Sequence, residues 1–216
     1  MSEPSLVEER EAPVRELCGK GEIEDATAAA LRLYGREVLS FLVALHRDES
    51  AASEVFSEFS EELWKSLPNF RWQCSLRTFA YTIARRASWR FRRDGRRDPA
   101  RNVPLSQASV VSKVAADLRS ETASYLRAEA KSKLAAIREE LSAEDRALLV
   151  LRIDKQLAWN DVARVLHEDN EEFGEEDVKR ESARLRKRFE ILKKKLLELG
   201  KKHGLVAVKP LGPGGG

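Results

Sequence analysis

A run of arginines and aromatic residues between positions 71 and 101 carries the side chains best suited to binding chemistry in this 216-residue chain. Ten arginines stand in that interval against two aspartates, with Trp72, Tyr81 and Trp89 among them. Guanidinium groups hold phosphates and aromatic rings stack on unpaired bases, so the combination is typical of proteins that bind single-stranded nucleic acid. Any one of these arginines is equally compatible with a solvated helix face, and Trp89 with a core position; the density of cations favours nucleic acid.

Two amphipathic helices must position these side chains. From Leu76 to Ala87, apolar residues recur every three or four positions, which predicts a helix with one buried stripe and arginines on its other faces. Upstream, the apolar residues from Ala52 to Leu67 predict a second helix, which Pro68 ends because proline cannot donate the next backbone hydrogen bond. The faces of this helix left to water carry a ridge of carboxylates: Glu54, Glu58, Glu61 and Glu62.

The order of residues in these two helices resembles region 2 of bacterial RNA polymerase sigma factors of the sigma-seventy family, most closely the extracytoplasmic-function (ECF) group. The run ASEVFSEF at 52–59 is similar to the acidic helix of that family. The run SLRTFAYTIAR at 75–85, preceded by Phe70-Arg71, is similar to its promoter-melting segment. The resemblance implies that the acidic helix docks on the clamp helices of the largest polymerase subunit, and that the basic helix recognises and opens the minus-ten promoter element.

The charge pattern of the two helices and their resemblance to sigma region 2 together give the candidate binding residues. Those expected to bind polymerase are Glu54, Ser57, Glu58 and Glu61. Those expected to bind minus-ten DNA are Arg71, Trp72, Gln73, Arg77, Tyr81, Arg85, Arg86, Trp89 and Arg90. Turning a base out of the stack into a pocket near 71–75 costs a few kcal/mol, which contacts with the pocket and with polymerase must offset.

The chain as a whole predicts an all-α fold of two small helical domains joined by a flexible linker. We expect a mobile arm over 1–21, a first domain over 22–97, a linker over 98–122, a second domain over 123–204 and a disordered tail over 205–216. The first domain opens with a helix from Glu22 to His46, in which Gly35 is a tolerated flaw.

The second domain has the pattern of a helix-turn-helix. Ser142 begins a helix as a capping residue and is followed by a second short helix, an acidic loop at 168–176 and a long cation-rich helix. Residues 141–149 and 157–163 are similar to sigma region 4, which grips the minus-thirty-five element; that similarity implies an apolar residue where Ser182 stands. A solvated, lysine-rich helix is the alternative. The candidates for duplex contact are Lys179, Arg180, Ser182, Arg184, Arg186 and Lys187.

Charge and composition limit the other functions. The net charge of +3 separates into acidic and basic blocks, which suits a protein that meets both a protein surface and DNA. Two distant cysteines and three scattered histidines predict neither a disulfide nor a metal site, and no apolar run has membrane-spanning length. We therefore expect a cytoplasmic protein that is not an enzyme, needs no cofactor or metal and does not insert into a membrane.

The function predicted is that of a transcription initiation factor whose partners are core RNA polymerase and promoter DNA. The resemblance adds an anti-sigma partner and a monomeric state when free. Two other classes remain open: a stand-alone helix-turn-helix repressor that binds duplex DNA without polymerase, and a metal-dependent nuclease or recombinase using Glu54, Glu58 and Glu61.

Overall fold

The computed structural model describes residues 6–93, 110–129, 137, 139–167 and 173–203. Its fold is all-α, and no strand occurs within these residues. The described helices are α1 (Leu6–Lys20), α2 (Ile23–His46), α3 (Glu49–Ser66), α4 (Leu76–Arg93), α5 (Val110–Glu129), α6 (Ala143–Leu149), α7 (Trp159–Leu166) and α8 (Glu175–Lys202).

Helix α2 is the centre of the molecule. It packs against α1, α3, α4, α5 and α6, so apolar residues are buried on several of its faces. Phe41 is fully buried and meets Tyr81 of α4 edge to face, with ring centroids 5.3 Å apart. The predicted bounds of this helix are confirmed to within one residue, and α3 ends as expected, in a single 3-10 turn at Leu67–Asn69.

Helix α5 lies where the sequence predicts part of a linker. Residues 110–122 belong to a docked helix, because Val111 and Ala115 bury one apolar stripe against α2 and α3. Gly35 makes the approach possible: a Cβ atom there would lie 2.5 Å from Leu118 Cδ1. A side chain at position 35 would therefore require the Leu118 side chain to move. The remaining linker residues, 98–109, lie outside the described part of the chain.

Helix α1 replaces the mobile arm predicted at 1–21. The prediction weighed the glutamates and Pro13, which sits inside the helix and removes one backbone donor. Docking against α2 outweighs that cost, because Val14 is fully buried and Glu11 makes three hydrogen bonds with α2 and α4. Residues 1–5 and the tail predicted at 205–216 lie outside the described residues.

The second group of helices comprises α6, α7 and α8. Ser142 caps α6 as predicted, its hydroxyl oxygen accepting from the amide of Asp145 at 3.1 Å. The helix continues through a π-helical turn at Val150–Asp154, which shifts the register of its last side chains. Ile153, which lies in this turn, is 52% exposed. The group closes around Leu148, Leu151, Val162, Leu185 and Phe189.

The two groups of helices pack directly on each other. Helix α7 lies along α4, and α6 contacts the end of α2. Polar bonds join them at both places: Thr78 Oγ1 donates to Asp161 Oδ1 at 3.0 Å, and Arg146 Nη1 donates to the Leu45 carbonyl at 3.0 Å. Among the described helices, none is both long and apolar enough to cross a membrane.

Candidate nucleic-acid interface

The outer face of α4 presents rings and guanidinium groups together. Its inner stripe, including Leu76, Ala80 and Ala84, is buried in the core. On the other side Trp89 is 43% exposed, and the Arg93 guanidinium lies 5.1 Å from the centre of its indole ring. Trp89 is thus not a core residue. An exposed indole beside a cation provides a stacking surface for a base together with a phosphate contact.

Two of the candidate minus-ten residues bind a carboxylate of α2, and one of them, Tyr81, is buried. Tyr81 has no exposed surface, and its hydroxyl donates to Glu37 Oε2 at 3.2 Å. Arg77 donates to the same carboxylate oxygen through Nε at 2.9 Å and Nη2 at 2.7 Å. Burial raises the pKa of Tyr81 far above its ordinary value. In this conformation Tyr81 and Arg77 hold α4 against α2. Tyr81 is fully buried and so does not reach DNA here, whereas the partly exposed Arg77 stays a predicted DNA contact.

The segment Phe70-Arg71-Trp72, which we call the aromatic bridge, precedes α4 and forms a small aromatic stack with it. Phe70 stacks on Phe79 with centroids 4.2 Å apart and meets Trp72 at 4.7 Å. Trp72 has a left-handed backbone (φ 56°), and the guanidinium of Arg15 lies 5.4 Å from its ring. The neighbouring candidates, Arg71 and Gln73, are exposed. The side chains able to line a base pocket here are therefore Trp72 and its two polar neighbours.

The N-terminus of α4 is held by a residue that the sequence did not single out. Glu11 of α1 is buried, and its carboxylate accepts from the amides of Leu76 (2.8 Å) and Arg77 (3.0 Å) and from the Tyr34 hydroxyl (2.8 Å). These amides would otherwise be among the unsatisfied donors of a helix start. The weak helical spacing of Val7, Val14 and Leu17 was the only signal for it in the sequence.

The carboxylate ridge of α3 is only partly open to solvent. Glu54 is exposed, whereas the Glu61 side chain keeps 12% of its surface and Glu58 is half-buried. Ser57, also half-buried, accepts a hydrogen bond from Arg119 Nη1 of α5 at 2.7 Å. Further along, Glu62 lies 3.6 Å from Arg90 of α4. The four residues expected to bind polymerase are thus neighbours on one helix, with α5 at their edge.

The cations of α8 are paired with carboxylates of their own helix. Lys179 pairs with Glu176 at 2.7 Å, Arg180 with Asp177 at 3.1 Å and Arg184 with Glu181 at 2.6 Å. These pairs are largely exposed, so each contributes little to stability and can exchange its partner for a phosphate or a base edge. Lys187 is exposed as well.

The last two candidates on α8, Ser182 and Arg186, differ in exposure. Ser182 is 1% exposed, which matches the apolar residue expected at its position and corrects its prediction as a DNA contact. Arg186 is exposed but lies 5.9 Å from the centre of the Trp159 ring of α7. Arg188, which was not a candidate, fastens α8 to α6 through Asp145 at 2.8 Å and Glu144 at 3.0 Å.

A cleft of about 350 Å³ is lined by residues of α4, α6, α7 and α8. Both predicted DNA-binding helices contribute cations to its lining: Arg85 from α4, and Arg184 and Arg188 from α8. Two carboxylates also line it, Glu144 from α6 and Glu181 from α8. The carboxylates offset most of the positive charge. In this conformation, the residues expected to contact two distant promoter elements therefore line the same cleft.

The carboxyl end of α2 gathers basic groups from three elements. The Leu45 carbonyl accepts from both Arg92 of α4 and Arg146 of α6. Burial, with Arg47 and Arg92 nearby, lowers the pKa of Arg146 to about 10. Burial and Arg92 also lower the pKa of His46 to about 4, and His46 Nε2 is 2.8 Å from Ser88 Oγ. The site is structural, because it joins α2, α4 and α6.

The remaining reactive groups are isolated. Cys18 and Cys74 are both free and half-buried, and burial raises the pKa of the Cys74 thiol to about 11. Within the described residues, no group of three or more histidine, cysteine, aspartate or glutamate side chains is arranged to hold a metal ion. The ridge of Glu54, Glu58 and Glu61 is therefore not arranged as a metal site in this conformation.

Part of the chain is similar to a known protein family. Residues 30–98 match the family model described as Sigma-70 region 2. The matched segment contains most of α2 and all of α3 and α4, that is, the acidic ridge and the exposed arginine and tryptophan face. The match covers less than half of the chain and shows that this segment is similar to region 2 of the sigma-70 family. No curated protein matches the chain.

Proposed function

We propose that this protein is a sigma factor of the ECF type, which binds core RNA polymerase and directs it to particular promoters in the cytoplasm. The observation that carries the proposal is the exposed basic and aromatic face of α4, which lies within the segment that matches Sigma-70 region 2. The protein does no bond chemistry in this account. It contributes binding surfaces, and polymerase contributes the active site.

Helix α3 is the proposed polymerase-binding element. Glu54 is exposed, and Glu58 lies one turn further along the same face. Carboxylates at this spacing favour a basic partner surface and speed its encounter. Ser57 and Glu61 flank them, and Arg119 of α5 occupies the hydroxyl of Ser57.

Helix α4 and the aromatic bridge are proposed to hold the melted non-template strand. Arg86, Trp89 and Arg90 supply phosphate contacts and a stacking surface, while Arg71, Trp72 and Gln73 border the position for an extruded base. Arg85 adds a cation at the cleft. Tyr81 acts indirectly, by holding α4 on α2, and Arg77 combines that role with its predicted DNA contact.

Helix α8 is proposed to read the duplex of the minus-thirty-five element, with α7 and α8 acting as a helix-turn-helix. Lys179, Arg180 and Arg184 are near its start, where such helices meet base edges. Their carboxylate partners would be released on binding DNA. The resemblance also leads us to expect an anti-sigma partner and a monomer when free.

The test is a pull-down of purified core polymerase by the wild-type chain and by a Glu54→Arg, Glu58→Arg variant. The wild type is expected to bind and the variant to lose binding, while circular dichroism shows the same helix content for both. A Lys194→Glu, Lys195→Glu variant, which reverses exposed charges on α8, is the control and is expected to bind. Failure of the wild type to bind polymerase, with tight binding to duplex DNA alone, would favour a repressor.

A further inference from the structure

Helix α5 covers part of the surface assigned above to polymerase. Its inward residues follow helical spacing: Val111 and Ala115 are buried, and Leu118 is partly buried against the core. At its start the Val110 amide donates a hydrogen bond to Glu24 Oε1, and Leu118 lies against Gly35. The helix therefore runs in the same direction along α2, at the edge that α2 shares with α3.

A polar contact ties α5 to the acidic ridge itself. Arg119 Nη1 donates to Ser57 Oγ at 2.7 Å, and Ser57 is one of the four residues expected to bind polymerase. Arg119 also donates from Nε to the Ala115 carbonyl of its own helix at 3.2 Å, which fixes the orientation of its guanidinium. The surface thus accepts an amphipathic helix with small apolar residues and one arginine beside the ridge.

We propose that α5 occupies the same surface that binds polymerase, so that α5 and a basic helix of polymerase compete for α2 and α3. The inference rests on the proposed function. A polymerase helix that binds here would replace two contacts of α5: its apolar stripe over Gly35 and the guanidinium of Arg119 at Ser57. Free protein then binds polymerase only in the fraction of molecules whose α5 has moved away, which weakens the apparent affinity by that fraction.

The test is a reversible cross-link between α5 and α2. A cysteine at position 118 would place its sulfur near the present position of Leu118 Cγ. That position is 3.8 Å from a Cβ atom at Gly35, so cysteines at the two positions can form a disulfide after a small adjustment. The protein is the full chain with Gly35→Cys and Leu118→Cys, in a Cys18→Ser, Cys74→Ser background. The same polypeptide is measured oxidised and reduced, with circular dichroism on both, so that a folding defect is not mistaken for a loss of binding.

Competition predicts that the oxidised form binds core polymerase at least about tenfold more weakly than the reduced form. A Leu118→Ala variant, which loosens α5, should bind at least as tightly as the wild type. Equal affinity of the oxidised and reduced forms would overturn the competition while leaving the proposed function intact. If neither the wild type nor the reduced form binds polymerase, the proposed function fails and the competition fails with it.

Discussion

At the scale of single residues, Glu11 connects three helices with one carboxylate. It accepts from two amides that begin α4 and from Tyr34 of α2. We expect Glu11→Ala to lower the free energy of unfolding by about 2–4 kcal/mol, because three donors lose a buried, charged acceptor. Urea unfolding measures the change.

The control for this prediction is Glu9→Ala, which removes an exposed carboxylate from the same helix. It should shift the free energy of unfolding by no more than about 0.5 kcal/mol. Similar losses in the two variants would mean that α1 does not hold the start of α4.

His46 makes the stability of the fold sensitive to pH. Its pKa is about 4 in the folded protein, below the usual value of 6.5, because burial and Arg92 oppose its charge. The unfolded chain therefore binds this proton first, and stability should fall as the pH drops from about 6.5 to 4. One proton can give a slope of at most about 1.4 kcal/mol per pH unit, and the partial exposure of the ring reduces the contribution of His46 below that.

A His46→Gln variant keeps a hydrogen-bonding group near Ser88 and removes the titration. Urea unfolding at several pH values should show a shallower loss of stability in this variant than in the wild type over that range. The same slope in both proteins would show that protonation of His46 is not linked to unfolding.

At the scale of secondary-structure elements, α4 has one face in the core and one face for nucleic acid. We expect Trp89→Ala to weaken binding of a single-stranded oligonucleotide by about 1–3 kcal/mol, the usual loss for a stacked base. Arg86→Ala should weaken binding less and lower the slope of log K against log salt by about 0.7. Fluorescence anisotropy at several salt concentrations measures both effects.

The matched control is Lys194→Ala, which removes an exposed cation from the far half of α8. It should change neither the affinity nor the salt slope beyond error. A loss equal to that of Arg86→Ala would indicate that binding depends on total charge and not on the face of α4.

Much of this element structure could be predicted from the sequence. The spacing of apolar residues located α2, α3 and α4 and the cap at Ser142, because each of those patterns is local. What the sequence did not predict depends on distant contacts. The docking of α1 depends on Glu11 reaching α4, and that of α5 on the contact of Leu118 with Gly35 on α2.

The candidate residues divide in the same way. Composition identified the outward cations of α4 and α8, but it could not distinguish Arg86 from Arg77. Both lie on α4, and only the three-dimensional structure brings Glu37 of α2 against the second. Tyr81 and Ser182 were likewise assigned to DNA from their position, and burial assigns them to the core.

At the scale of the whole molecule, the two groups of helices must separate if the proposed function is right. Arg85 and Arg184 line one cleft, whereas minus-ten and minus-thirty-five elements lie about 25 base pairs apart, or ~85 Å of B-form DNA. The contacts that must break are those of α7 with α4 and of α6 with α2, together with polar bonds such as Thr78 to Asp161 and Arg77 to the Lys155 carbonyl.

Fluorescence transfer between dyes on α3 and α8 would detect this opening. Trp64 and Leu197 are both substantially exposed, so Trp64→Cys and Leu197→Cys in a background without the native cysteines can carry the dyes. Transfer should be efficient in the free protein and fall sharply in a complex with polymerase and promoter. Unchanged transfer in that complex would contradict simultaneous recognition of both promoter elements.

The central claim is that this chain gives core polymerase a choice of promoter. The most direct measurement is transcription in vitro of the host's genomic DNA by core polymerase, with and without the protein, followed by mapping of RNA 5′ ends. We predict new, discrete 5′ ends that share sequence near positions minus ten and minus thirty-five. An unchanged set of 5′ ends, from a protein that is folded and binds DNA, would contradict the account.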